Sequence, residues 1–520
     1  MRVTKIDPSN IGVFSSLYLD YLSQNENVRE FYDLFPTQKN FKVKAERKKF
    51  STEKRATLQD ALIRQYNGIE KSDKIKSNIE LLNSPNTFTV TTGHQLNLFT
   101  GPVYFIYKIV SVISICTKLA KLYPEFNFIP VYWMASEDHD FAEINHFHLF
   151  GKKYEWSDDQ SGPVGRFKTE GIRSLADTLP EEVKSYAEHY LTSRNLSEAT
   201  RKFVNTLFGE EGLLIIDGDD RNLKSLFAPA IKKELKESFS FKTISEVISS
   251  LDSKGYKIQV NPREVNLFYM SNGIRERIIR EGEELKVLNT DITIPVAEID
   301  LFVNDFPENF SPNVVLRPLY QETILPNIAY VGGPAEIIYW LELKNMFQET
   351  GEEFPLLVPR LSAMVVNEGV NRKIQKLRMS AIDFFSEISE LKEKYLSSDS
   401  ETNYDDMAVE EVELKRIFAS MADKAAAIDK TLEAFVHAEA KKAESSIESI
   451  RKKVKKAAEK KSDVAIAQIN GIKSKLFPGD GLQERHDNFL NFLISNPDFI
   501  SQLSILDPFD YRFNILETNA

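Results

Sequence analysis

Apolar residues change their spacing twice along this 520-residue chain, and the changes divide it. Residues 1–80 are polar and helical in pattern, with one apolar cluster in "FSSLYLDYLSQNENVREFYDLF". Next, "NTFTVTTG" and "FNFIPVYWMAS" are strand-like runs of β-branched and aromatic residues. Between them "GPVYFIYKIVSVISICTKLAKLY" keeps the helical period. Thr100 as N-cap and Pro102 just inside mark the expected start of that helix. Two apolar strands joined by such a helix predict a parallel, right-handed crossover in a sheet buried on both faces. A polar segment over about 151–205 reads as inserted, and "EGLLIIDGDD" supplies another buried strand. A second insertion, helical and β-rich, spans about 236–310. The sheet is expected to resume at "NVVLRPLYQ", "NIAYVGG" and "FPLLVPRLS", with "AEIIYWLELKNMF" as an intervening helix.

After Val365 the pattern becomes a heptad. Apolar residues at 374, 377, 381, 384, 388, 391 and 395 alternate spacings of three and four. A break follows near "SSDSETNYDD", and the seam resumes at Leu414, Met421, Ile428 and Phe435, continuing from Val436 to Ala457. A helix over 408–470 would be about 95 Å long, too long to fold back into a core. Two helices with a turn between them predict an antiparallel coiled-coil arm. The expected class is therefore α/β. A Rossmann-like parallel sheet core with inserted segments occupies 1–365, a helical arm 366–476, and a C-terminal segment, 477–520, returns to the core.

Composition narrows the function. The net charge of -11 would repel a polyanion, so nucleic acid is not the expected partner. The basic run "RKKVKKAAEKK" reads as the solvated face of the arm. Lys108, Ser111, Ser114 and Lys118 interrupt the greasiest window, which suits a core helix rather than a membrane span. The N-terminus "MRVTKIDPSN" lacks the apolar region of a signal peptide, and a single Cys116 fits a reducing compartment. A cytoplasmic protein acting on small molecules is the expectation.

In an open α/β sheet ligands bind beyond the carboxyl ends of the strands, and three polar segments are expected there. "TGHQLNLFTGP" offers His94, Gln95, Asn97, Thr100 and Gly101 at a strand-to-helix junction. The first helical N–H groups there could hold phosphate or carboxylate, or the segment is only a polar turn. "MASEDHDFAEINHFH" packs Glu137, Asp138, His139 and Asp140 beside one another. They could serve as general base, metal ligands, ribose acceptors or solvated loop acids. "SPNVVLRPLYQETILPNIAYVGGPAE" carries Arg317 and Gln321 as anion binders, then Gly332 and Gly333 before a helix bearing Glu336. Arg360 repeats the theme, and a tight loop is the plainer reading of the glycines. There is no Walker A loop and no GxGxxG.

Together, "TTGHQLNLFTGPVYFIYK", "PVYWMASEDHDFAEINH", "NLFYMSNGIRERI" and "SPNVVLRPLYQETILPNIAYVGGPAEIIYWLELK" resemble the BshC family of bacillithiol biosynthesis, in order and over nearly the whole chain. The resemblance implies a cysteine-adding ligase that joins cysteine to glucosaminyl-malate, on a Rossmann-like core with an arm used for homodimerisation. The family often has Gln where this chain has His94, so position 94 is expected to hydrogen-bond substrate rather than move protons. Carboxyl activation in water points to ATP, with the activating cosubstrate and any metal left open. Asp138 or His139 would orient or deprotonate the amine, and Arg317 would neutralise charge. A dimeric scaffold without catalysis, or a nucleotidyl or glycosyl transferase, are the competing classes.

Overall fold

The computed structural model describes residues 1–398 and 407–518. Five strands form the central parallel sheet: β1 (Thr87–His94), β2 (Asn127–Met134), β3 (Leu214–Asp217), β4 (Asn327–Gly332) and β5 (Leu356–Pro359). Their spatial order is β5-β4-β1-β2-β3. β1 and β2 pair from Thr87 opposite Asn127 to His94 opposite Met134, and every residue of β1 is buried. Helix α1 (Tyr104–Leu122) packs on β1 and β2. Val112, Ile115, Cys116 and Leu119 of α1 share one core cluster with Val90, Phe128, Val331 and Val358. That is the Rossmann-like core that the β-α-β pattern predicts. The chain moves outward from β1 in both directions, so the gap between β1 and β4 is the topological switch point where such sheets open a crevice.

The insertion before β4 contributes a five-stranded antiparallel sheet, from Leu267–Ser271 through Thr293–Pro295, closed by Phe310–Pro312. By compactness the chain forms two units. One comprises Lys5–Ala363 with Glu484–Asn514, and the other Met1–Thr4, Met364–Gln483 and the tail from Ile515. No helix among the described residues is long and apolar enough to cross a membrane.

Four local expectations are corrected. The helix after β1 starts at Tyr104, not at Pro102. Phe99, Thr100 and Gly101 all take positive φ (50°, 68° and 64°), and Asn488 Nδ2 pins the turn by donating to the carbonyls of Phe99 and Gly101. A Cβ on Gly101 would lie 2.7 Å from Asn97 Cβ, so the turn requires glycine there. "NVVLRPLYQ" is no strand: Asn313 caps the backbone with Oδ1, and Arg317–Ile324 form helix α2, with Pro318 at a position where a helix needs no N–H. The heptad from 374 is broken into Glu368–Lys376, a 3-10 turn at Ala381–Phe385 and Ile388–Ser398. The break expected near "SSDSETNYDD" falls on 399–406, outside the described residues.

The arm is the antiparallel pair of helices that the heptad predicts, and the fourth correction concerns only where it turns. No single helix runs over 408–470. Helix α4 (Ala408–Ala426) reverses at 427–430 into helix α5 (Thr431–Lys461), and the two pack side by side, tied by Arg451 to Glu411 at 2.6 Å. Asp429 makes the turn by accepting from the N–H and hydroxyl of Thr431. Ile428, expected in the seam, sits at this apex and is 85% exposed.

Candidate active site

A cavity of about 330 Å³ opens where β1, β2 and β4 end, at the switch point, and its size is at the lower end of small-molecule sites. Gly93, His94 and Gln95 form one wall, Trp133, Ala135 and Asp138 the next, and Tyr330, Gly333 and Glu336 the third. Lys108, Arg317, Arg360 and Arg485 bring four cations to its rim. A larger depression of about 770 Å³, walled by Val110, Ile113, Leu493 and Ile494, lies elsewhere along α1. It gathers Glu182, Glu211 and Asp498 but no cation.

Lys108 is the most deeply buried of the charges, at 3% exposure. It sits one turn into α1, where its stem packs among apolar neighbours and Nζ donates to the Gly93 carbonyl at 2.8 Å and meets Glu336 at 2.5 Å. Glu336 lies in the first turn of helix α3 (Pro334–Leu341) and also accepts from the Tyr330 hydroxyl at 2.6 Å and the Gly333 N–H at 2.9 Å. An acid at N3 facing the N-cap N–H is the helix-start arrangement that a Gly-Gly-Pro-x-Glu sequence favours. Burial pushes the Glu336 carboxyl up, but Lys108, Tyr330 and Gly333 outweigh it and hold it below its usual range. Burial pulls the Lys108 ammonium down against the attraction of Glu336.

Arg317 opens α2 and is held on several sides. Its Nη1 donates to Gln321 Oε1 at 3.0 Å, its Nη2 to the Tyr339 hydroxyl at 3.2 Å, and its guanidinium lies 5.6 Å from the Tyr330 ring centre and 5.9 Å from that of Trp133. Gln321 cannot flip, because its Nε2 is committed to Glu322 Oε1 at 2.9 Å, and Asn327 Nδ2 donates to that same oxygen at 2.7 Å. A fully buried polar network thus sets the direction of the Arg317 fork at the cavity.

Across the cavity, Asp138 Oδ2 accepts from Gln95 Nε2 at 2.9 Å, while Oδ1 accepts from the His139 N–H at 2.8 Å and faces Arg275 at 3.8 Å. Burial raises this carboxyl, but His139, Gln95 and Arg275 outweigh it and keep it ionised well below the carboxylate range. Such a group binds an ammonium well and is a weak proton acceptor. His94 is 7% exposed, and its Nε2 has no hydrogen-bond partner among the described residues. Burial and then Lys108 push it down to about 3, so it is a neutral imidazole facing the cavity.

The structure brings His94, Gln95, Asp138, Arg317, Gly333, Glu336 and Arg360 onto one cavity. Gln321 and Glu137 stand behind it: the first tethers Arg317, and the second pairs with buried Lys224 at 2.8 Å. Gly332 leaves room for Glu336 and Tyr330, which a Cβ there would meet at 3.0 and 3.1 Å. Asn97, Thr100 and Gly101 do not line the cavity, because the left-handed turn carries them away and Asn97 donates instead to the Glu143 carbonyl. His139 and Asp140 are exposed and outside it, and His139 Nδ1 is taken by Arg275 at 2.7 Å. The guanidinium of Arg360 is already bound bidentately by buried Glu484, at 3.1 and 2.7 Å. Among the described residues no group of three or more His, Cys, Asp or Glu side chains is placed to hold a metal ion.

Sequence reasoning missed Lys108, Arg485, Tyr330 and Arg275. Lys108 did leave a signal, a lysine in the middle of an otherwise apolar stripe, where a charge must find a partner. Arg485 left none, since its place depends on how the tail returns.

Comparison with known proteins fits this picture. Residues 1–361 match the family model described as the bacillithiol biosynthesis BshC N-terminal Rossmann-like domain, and 363–518 match the BshC C-terminal coiled-coil domain. A protein of Cytophaga hutchinsonii is 41% identical, with 99% of this chain and 98% of that protein aligned. One of Flavobacterium johnsoniae is 41% identical over 97% of this chain and 98% of its own length. One of Salinibacter ruber is 29% identical over 94% and 93%. All three carry the name "Putative cysteine ligase BshC".

Proposed function

The chain belongs to the BshC family of bacillithiol biosynthesis, and on that premise we propose that its cavity joins the carboxyl of cysteine to the amine of glucosaminyl-malate, the last step of that synthesis. The observation that carries this reading is that Arg317 and Asp138 line one switch-point cavity. A guanidinium suits a carboxylate or the oxyanion that develops from it. The strongly ionised Asp138 suits an ammonium held beside that carboxyl.

An amine does not displace an oxygen from a free carboxylate, so the reading includes activation by a nucleoside triphosphate, ATP being the expected one. The carboxyl C–O bond breaks with its oxygen leaving on phosphate or nucleotide, the C–N bond forms, and the amine's proton passes to solvent. Arg317 stabilises the oxyanion and Asp138 holds the ammonium of the amino acid that carries it. Neutral His94 hydrogen-bonds substrate through Nε2, which is buried without a partner among the described residues, a role that glutamine could also fill. With Glu336 occupied by Lys108, Arg485 is the rim cation with no ion pair among the described residues, and it draws in the malate carboxylates.

The test is the cellular thiol pool. Deleting the gene should abolish bacillithiol and accumulate glucosaminyl-malate, and restoring Arg317→Ala should not rescue it. Bacillithiol at parental levels in the deletion strain would end this reading. The reading sets the protein in the cytoplasm, where cysteine stays reduced. It also makes the arm a dimer contact: Val409, Val412, Phe435 and Ile450 are exposed apolar residues of α4 and α5, and a second copy would cover them.

A further inference from the structure

A smaller cavity of about 100 Å³ adjoins the main one and shares Trp133, Ala135, Asp138 and Arg317 with it. Its own walls are Met134, Glu137, Arg275, Pro312 and Asn313. We propose that this compartment is the seat of the amino-acid substrate. A zwitterionic α-amino acid would enter with its ammonium on Asp138, its carboxyl on Arg317 at the partition, and its side chain against Met134 and Pro312. The proposal rests on the ligase reading and adds to it where the amino acid lies and which way it points.

Three observations carry it. The first is size: on this measure a void needs about 10–15 Å³ for each water it holds, so about 100 Å³ is room for on the order of seven to ten non-hydrogen atoms. That holds a small amino acid and excludes a glycoside, so the larger compartment is left for the sugar. The second is charge. The lining pairs two carboxylates, Glu137 and Asp138, with two guanidinia, Arg275 and Arg317. Glu137 is already paired with buried Lys224, which leaves Asp138 to take an ammonium and Arg317 to take a carboxylate, and a zwitterion answers both.

The third is rigidity and direction. Lys224 holds Glu137 at 2.8 Å and the Phe310 carbonyl at 2.6 Å. Arg275 is fixed by Ser311 at 3.2 Å, by His139 and by stacking 4.0 Å from the Phe268 ring centre. Asp138 and Arg317 stand on the partition, so a carboxyl on Arg317 faces the main cavity, where an attacking amine would sit.

Calorimetry on the full chain tests this with defined probes. L-cysteine should titrate, while N-acetyl-L-cysteine, without the ammonium, and cysteamine, without the carboxylate, should bind at least tenfold more weakly. Asp138→Asn should weaken L-cysteine at least tenfold, and Arg485→Ala, which touches only the main cavity, should change it less than twofold. Saturating glucosaminyl-malate should leave the cysteine site open. Equal binding of the blocked analogues by the unaltered protein, or mutual exclusion of the two substrates, overturns the assignment. The thiol pool of the deletion strain is read separately. Lost bacillithiol without any cysteine titration refutes the compartment and spares the ligase reading, whereas preserved bacillithiol with normal titration refutes the ligase reading and spares the compartment.

Discussion

The cleft at the carboxyl edge of the sheet buries charge, whereas the helical arm leaves apolar side chains in water. Lys108 is 3% exposed and Arg360 is 5%, while Phe435 is 63% exposed and Ala422 and Ala458 are the buried residues of α4 and α5. Each region departs from the ordinary partition in the opposite direction. A buried charge is tolerated only with partners of good geometry, and the cleft supplies them: Glu336 for Lys108 and Glu484 for Arg360. An exposed apolar row is tolerated when something covers it. Internal completeness in the cleft and incompleteness in the arm are what the two sets of residues have to teach, and both can be attacked directly.

The largest effect is expected from Glu336→Ala, which leaves Lys108 buried without its counterion and frees the Tyr330 hydroxyl. Equilibrium unfolding in urea should show about 3–5 kcal/mol of destabilisation. A loss under 1 kcal/mol would mean that Lys108 is neutral or finds other partners.

Arg317→Lys comes next. A point charge cannot serve Gln321, Tyr339 and a carboxylate at once, so bacillithiol formation in complemented cells should fall by roughly a hundredfold, about 2.7 kcal/mol. Parental activity would show that the fork is dispensable.

The pH dependence sharpens the cleft side of the contrast. His94 is held neutral down to about 3, against 6.5 for an exposed imidazole. Between those values the unfolded chain binds a proton that the folded chain refuses, so stability falls as pH drops below 6.5. The slope due to this group is about 1.4 kcal/mol per pH unit. His94→Gln should flatten that limb by this amount, measured as urea midpoints at pH 6.5 and 5, while keeping ligation.

On the arm, Phe435→Asp places a charge in a row proposed to be covered by a second copy. Light scattering should show dimerisation weakened tenfold or more, about 1.4 kcal/mol, with cysteine titration unchanged. Ile428→Asp should do least, within ±0.5 kcal/mol of the parent, because the residue sits in the turn at 85% exposure. A strong effect there would mean that the apex itself makes a contact.

Much of the fold was legible because it rests on local pattern. The β-branched run of β1, the apolar period of α1 and the aromatic-rich β2 are signals that act over a dozen residues. They suffice for a parallel unit with its ligand end at His94. The site was legible where residues sit at strand ends: Gln95, Asp138 and Gly333 followed from that rule alone. Arg317 was placed on a strand and lies on a helix, because Asn313 and Pro318 act as helix-start devices that a run of apolar residues masks. The arm's turn went unread for a related reason. Asp429 and Thr431 make the reversal with side-chain hydrogen bonds, while Ile428 keeps the heptad count running through it.

What the sequence determined by itself is therefore the class of β1, α1 and β2, the end of the sheet where chemistry collects, and the family. Tertiary structure alone decided which charges are paired and which are free. Lys108 and Glu336 stand 228 positions apart by number and Arg360 and Glu484 124 apart, and no periodicity reports a partner at that range. Ion pairing depends on distance and burial after folding, whereas element type depends on neighbours in the chain, and that difference sets the line between what was readable and what had to be seen.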